Sequence, residues 1–277
     1  MTWRAVVAAL DEHAAFRSSV SPYLHPLAGR SALWHVVRAL LDVAPPPREV
    51  VVLHLAGSPA HVDVGTSAPV RFVAVAPGDL LRALRVAVTP PGQTVLVDGA
   101  AALLTSATVS RLLRAAEHGL AAVHGDTELA ACVAVAGEGP ALASADDPRL
   151  PAGAARVAPA AAIELLQVTS RHTLSDAAVA LRDRLVRRHE RGGVSFLLPE
   201  SSWIDVDVRI GADTLIYPSV VLEGASEIGG ECVIGPYSRV VDSVVGRGAE
   251  LKGWNYLVRT HLRGRAVLEA YARRGDD

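Results

Sequence analysis

Seven aliphatic residues, Ile204, Ile210, Ile216, Leu222, Ile228, Ile234 and Val240, recur at every sixth position. Gly211, Gly229 and Gly235 each follow one of them. A helix repeats near 3.6 residues and an exposed strand repeats at 2, so neither produces this rhythm. A period of six predicts a parallel β-helix of hexapeptide repeats, in which each repeat forms one flat side and points its aliphatic side chain inward. Stacking the coils buries a continuous core that no single repeat can bury alone. With three repeats per coil, Ile204–Leu257 predicts about three coils within a β-helix over 194–262. The rhythm slips by one residue at Val245 and resumes at Leu251 and Leu257. The following stretch RAVLEAYARR, Arg265–Arg274, predicts a short C-terminal helix within 263–277, capping the last coil.

Upstream, short apolar runs alternate with helical patterns. Val50–Leu55, Val70–Val75, Thr94–Asp98 and Ala130–Val135 read as strands, and 31–43, 77–88 and 106–117 as helices. Ser31 and Thr105 are available as N-caps. Such alternation predicts a mainly parallel α/β sheet, with ligands bound beyond the carboxyl ends of its strands. The stretch 137–160 is rich in Ala, Pro, Gly and Asp and reads as irregular. LSDAAVALRDRLVRRHER then predicts a long helix with a cationic last turn, stopped by Gly192 and Gly193. The expected organisation is therefore an α/β domain over 1–173, a connecting helix over 174–193, the β-helix, and the terminal helix.

Composition narrows the function classes. The chain has 277 residues and a formal net charge of −2, so no basic excess points to nucleic acid. Cys132 and Cys232 are its only cysteines, which gives neither a disulfide framework nor a zinc spacing. The amino terminus is a poor signal peptide, and no stretch is clean enough to span a bilayer. A cytoplasmic protein that contacts neither membrane nor nucleic acid is expected. Lys252 is the only lysine and Asn255 the only asparagine.

LHPLAGRSALWHVV and the long segment from VTSRHTLSDAAV to SRVVDSVVG resemble the bifunctional N-acetylglucosamine-1-phosphate uridylyltransferase/glucosamine-1-phosphate acetyltransferase (GlmU type) family, over roughly half the chain. The resemblance implies a Rossmann-like nucleotidyltransferase domain followed by a short left-handed parallel β-helix. It also implies an activity: a sugar phosphate attacks the α-phosphate of UTP and releases pyrophosphate, with Mg²⁺ and backbone donors on a glycine-rich loop. A homotrimer through the β-helix, or a complex with an active paralogue, is the implied assembly.

The residues that would carry this chemistry depart from the family pattern. The loop LAAGxGTRM falls on Ala8–Phe16, which puts Asp11, Glu12 and His13 at the nucleotide-binding position and Asp11 and His13 on its glycines. Side chains there block close backbone approach to phosphate. The lysine of PKVLH falls on Pro22, the metal-binding aspartate of GDxPL on Ala100, and the asparagine pair of VNNR on Thr169 and Ser170. The base-binding segment LGTGHA falls on LLRALR without its glycines. The acetyl-CoA and sugar motifs of the second activity belong to later coils than the three expected here.

Two readings follow. In one, the chain is a non-catalytic structural or regulatory relative. In the other, it is an active nucleotidyltransferase with a rearranged site, making a nucleoside-diphosphate sugar or a cytidine-diphosphate-linked product. Cytidylyltransferases of the isoprenoid pathway carry a HDAARPL segment, and DGAAAL places Asp98 on its aspartate, as a candidate Mg²⁺ ligand; Arg17 and His25 are then candidate catalytic groups facing phosphates. Each also has a plain structural reading: Asp98 as a turn residue before Gly99, His25 as a loop residue, Arg17 as a solvated cation. Binding of a nucleotide or sugar phosphate without turnover is a third expectation.

Overall fold

The computed structural model describes residues 2–10, 14–58, 61–65, 69–124, 132–149 and 151–275. The chain forms two compact units, one comprising Met1–Pro26 and Ser31–Ala177, the other Leu27–Arg30 and Ala178–Asp277.

In chain order the elements run β1 (Trp3–Ala9), β2 (Pro26–Leu27), β3 (Arg30–Ser31), α1 (Ala32–Leu41), β4 (Val50–Leu55), β5 (Val70–Val75), α2 (Leu80–Val88), β6 (Gln93–Asp98), α3 (Ser106–Ala115), β7 (Ala121–Val123), β8 (Ala134–Glu138), α4 (Gly139–Ala143) and β9 (Ala155–Arg156), all in the first unit except the two-residue strands β2 and β3, which straddle the division at Leu27–Arg30. Helix α5 (Arg171–Arg191) leads out of the first unit. The central sheet has the order β5-β4-β1-β6-β8-β7-β9. Strands β5, β4, β1 and β6 are parallel, whereas β8 runs antiparallel to both β6 and β7. The apolar runs VVVLHL and TVLVD are buried on both faces, as parallel strands between helical layers require. On one face Val6, Leu53 and Leu96 pack with Leu84 and Val88 of α2 and Leu142 of α4. Ser31 Oγ accepts from Trp34 N at 3.3 Å, which caps α1, and Thr105 Oγ1 accepts from Thr108 N at 3.4 Å, which caps α3.

Three expectations for this unit are corrected. The stretch 137–160 is not uniformly irregular, because it contains α4 and β9, whose short lengths leave little periodicity to read. The strand expected at Ala130–Val135 lies at Ala134–Glu138, and residues 125–131 are outside the described residues. Helix α5 begins at Arg171 rather than Leu174 because Ser170 and Thr173 cap it reciprocally: Ser170 N donates to Thr173 Oγ1 at 3.0 Å and Thr173 N to Ser170 Oγ at 3.1 Å. Among the described residues no helix is long and apolar enough to cross a membrane.

The second unit is a parallel β-helix with three sides of five, five and four strands, so the chain winds four times and adds two further sides. Inward aliphatics stack in columns from coil to coil. One column is Ile216, Ile234, Leu251 and Leu268, and another is Ile204, Leu222, Val240 and Leu257. All of these are buried, each contributing about 1.5–3 kcal/mol by leaving water. Gly211, Gly229 and Gly235 sit where a β-carbon would lie 2.4–2.5 Å from the backbone of the next coil. Cys232 is fully buried, its Sγ 3.3 Å from the carbonyl oxygen of Gly246.

The structure overturns the expected C-terminal helix and the count of three coils. Residues 261–274 continue the β-helix as strands His261–Leu262, Val267–Leu268 and Arg273–Arg274. Leu257 is followed by Leu262 after five residues, repeating the step from Val240 to Val245. This second slip hides the sixfold rhythm, and the helix-favouring composition of RAVLEAYARR fills the gap in the reading. Pairing with the preceding coil overrides that propensity: Val267 and Leu268 align with Glu250 and Leu251.

Candidate functional site

Strands β1 and β6 end side by side at the carboxyl edge of the sheet, where Ala8 pairs with Asp98. A cavity of about 300 Å³ opens there, lined among others by Ala8, Leu10, Tyr23, Asp98, Cys132 and Arg149. This is where an α/β sheet of this kind binds ligands.

Among the described residues, Asp98 is the one predicted site residue on this wall. It closes β6 and folds back on its own turn, Oδ1 accepting from Ala100 N at 2.7 Å. Oδ2 accepts from the Gln167 side-chain amide at 3.2 Å. Gly99 beside it leaves little room for a side chain, because a β-carbon there would stand 3.0 Å from both Ala9 Cα and Tyr23 Cε1. Ala100 is 1% exposed, and its carbonyl accepts from Val168 N at 2.9 Å, so the position of the family aspartate is given over to packing. Pro22 opens a 3₁₀ turn, Pro22–Leu24, that buries Tyr23. Thr169 and Ser170 at the asparagine pair serve the cap of α5.

The cavity wall includes neither Arg17 nor His25. Arg17 is exposed and has a left-handed backbone, φ 46°. His25 stacks on Phe16 with ring centroids 4.8 Å apart, and its Nε2 is buried without a hydrogen-bond partner. Burial, and then the Arg171 guanidinium, hold its pKa below the ordinary histidine value, so the ring is neutral near pH 7. Asp11, Glu12 and His13 lie outside the described residues.

The fit to Mg²⁺ is poor. Hard divalent cations take several oxygen ligands, and Mg²⁺ sites of phosphoryl transfer use one or two carboxylates. Both Asp98 oxygens already accept hydrogen bonds from the protein. No group of three metal-ligating His, Cys, Asp or Glu side chains occurs among the described residues.

Sequence reasoning missed Tyr23, Cys132, Arg149 and Gln167. Burial pushes the Cys132 thiol up to about 11, with Asp98 nearby adding to the effect, so it is a thiol and not a nucleophilic thiolate at neutral pH. Arg149 engages Asp147 at 2.7 Å and holds that carboxyl below its usual range. Gln167 stands just before VTSR in the chain, 69 residues from Asp98, and no sequence signal joins the two.

No family model matches the chain. It is 33% identical over 109 residues to the bifunctional protein GlmU of Alkaliphilus metalliredigens, covering 39% of this chain and 24% of that one. To the GlmU of Mycolicibacterium gilvum it is 40% identical over 116 residues, covering 42% and 19%. The chain thus spans only about a fifth to a quarter of the length of these relatives. Among solved structures, a nucleotidyl transferase from Methanothermobacter thermautotroptrophicus aligns with TM-score 0.50 and 18% identity, covering 68% of this chain and 99% of that one. A 4-diphosphocytidyl-2C-methyl-D-erythritol synthase aligns with TM-score 0.51 and 13% identity, covering 65% and 99%. The chain is GlmU-like in sequence over about two fifths of its length and nucleotidyltransferase-like in fold.

Proposed function

We propose that this chain keeps a nucleotidyltransferase scaffold without transferase chemistry and acts as a structural or regulatory relative of GlmU-like enzymes. The observation that carries the reading is the state of Asp98. The only carboxylate at the carboxyl edge, among the described residues lining the cavity, is spent on the Ala100 amide and the Gln167 amide. Ala100, Pro22, Thr169 and Ser170 serve packing, a turn and a helix cap instead of substrate. The test supplies the purified chain with UTP, N-acetylglucosamine 1-phosphate and Mg²⁺ and follows pyrophosphate. No turnover above background is expected. Product formation at an ordinary enzymatic rate, about 1 s⁻¹ or faster, overturns the reading.

The cavity itself favours a second reading, in which a nucleotide or sugar phosphate binds and is sensed without reaction. A ligand bound only by the native state raises the melting temperature. Stabilisation by UTP, a UDP-sugar or a hexose phosphate that disappears in Asp98→Ala supports sensing at this wall. Unchanged melting at saturating ligand leaves the structural role.

A further inference from the structure

Arg4 occupies a place on the sheet face built for an aliphatic side chain. It stands two residues before Val6 on β1, on the face covered by α2, and is 7% exposed. Its Nη2 donates to the Ala87 carbonyl at 2.9 Å and lies 3.3 Å from Glu49 Oε1, but its Nε is buried with no hydrogen-bond partner. An unfilled donor on a buried cation is costly and calls for an explanation. Arg71 shares the row of Val73 and Val75 on the edge strand β5, in register with Val51. Glu49 Oε2 lies 3.9 Å from its Nη2, beyond hydrogen-bond range. Both arginines line a cavity of about 350 Å³ between α2 and strands β4 and β5. Ala83 and Ala87 face it from α2 and leave it room, and Val51, Leu53, Val73 and Val75 form an aliphatic wall. None of these residues lines the Asp98 cavity.

We propose that this cavity binds a small carboxylic acid with an apolar tail, the carboxylate on the arginines and the tail along the aliphatic wall. A guanidinium fork matches a carboxylate in its plane, and small-molecule sites are mostly apolar with a few placed polar groups. Charge balance sets a single negative charge on the head group. Arg4, Arg71 and Arg82 line the cavity together with Asp79, and Glu49 stands behind Arg4 and Arg71. Three guanidiniums thus meet two carboxylates, and Arg48, another cation acting on Arg4, only adds to the excess. Neither Arg71 nor Arg82 donates a side-chain hydrogen bond among the described residues. Volume sets the tail: about 350 Å³ holds roughly ten water-sized groups, the size of an acid of about eight carbons. A bare inorganic anion would leave the aliphatic wall wet, and an uncharged apolar molecule would leave the guanidiniums unanswered.

The test titrates the full chain calorimetrically with octanoate, and with acetate, 1-octanol and octyl phosphate as comparisons. Octanoate is expected to bind saturably at one site. Acetate, which lacks the tail, and 1-octanol, which lacks the charge, should each bind about tenfold more weakly or worse. Arg71→Gln should weaken octanoate by about tenfold. Ala83→Leu fills the cavity and should abolish binding without lowering the melting temperature. Asp98→Ala, at the other cavity, should leave octanoate binding unchanged. The Arg71 side chain is 59% exposed on an edge strand, so that variant decides the matter even where Ala83→Leu fails to fold. No saturable octanoate binding overturns the proposal. So do equal binding of acetate or 1-octanol, tighter binding of octyl phosphate than of octanoate, unchanged affinity in Arg71→Gln or in a folded Ala83→Leu, and loss of octanoate binding in Asp98→Ala.

Discussion

His189, 7% exposed in the last turn of α5, carries a Nε2 with no hydrogen-bond partner. Burial, followed by the neighbouring Arg188 charge, lowers its pKa from 6.5 to about 4. The folded state therefore binds its proton less readily than the unfolded state, and stability is full above pH 6.5 and lost as pH falls from 6.5 to 4. Between pH 7 and 4.5 the loss is on the order of 2–3 kcal/mol. His189→Leu should abolish that part of the pH dependence, seen as a difference between wild-type and variant urea unfolding at the two pH values. An equal acid loss in both proteins would place the acid sensitivity elsewhere. At this scale the sequence was legible where the side chain acts on its neighbours in the chain: Ser31 and Thr105 cap as expected, and Asp98 turns on Ala100. It was illegible where the partner is distant, because nothing local announces that Gln167 meets Asp98 or that Arg171 donates to the carbonyl of Phe16 at 3.1 Å.

Elements were legible in proportion to their periodicity. The hexapeptide rhythm announced the β-helix through Leu257, and the apolar runs VVVLHL and TVLVD announced β4 and β6. Legibility failed after Leu257 because two five-residue steps shorten the same corner of successive coils, from Val240 to Val245 and from Leu257 to Leu262. The strand reading of Val267–Leu268 has a direct consequence, since adjacent residues there face opposite ways. Leu268 is buried in the core and Val267 is exposed. Leu268→Ala should cost about 2–3 kcal/mol and Val267→Ala less than about 0.5 kcal/mol, measured by chemical denaturation. Comparable effects at both positions would contradict the assignment. The amide of Lys252, bonded to the Leu268 carbonyl at 3.0 Å, should likewise exchange slowly with solvent.

At the scale of the whole molecule, the two units are held by different physics. The first relies on a sheet with helices packed on it, and the second on stacked aliphatic columns and short parallel strands. Fold class was readable in both because burial periodicity needs only residue type. The candidate site was readable only as residues at motif positions, and its geometry came from where the chain returns to the end of β6. The two cysteines divide between these units, one in each. Cys132 is partly accessible beside the Asp98 cavity, whereas Cys232 is enclosed among the coils. Each thiol is thus a native reporter of the unit that holds it, with no label engineered in. Under mild alkylation near neutral pH both thiols are held back, Cys132 by burial that raises it to about 11 and Cys232 by enclosure among the coils, so each should react as its own unit opens and two mass-resolved labelling curves separate the opening of the sheet from the unwinding of the β-helix.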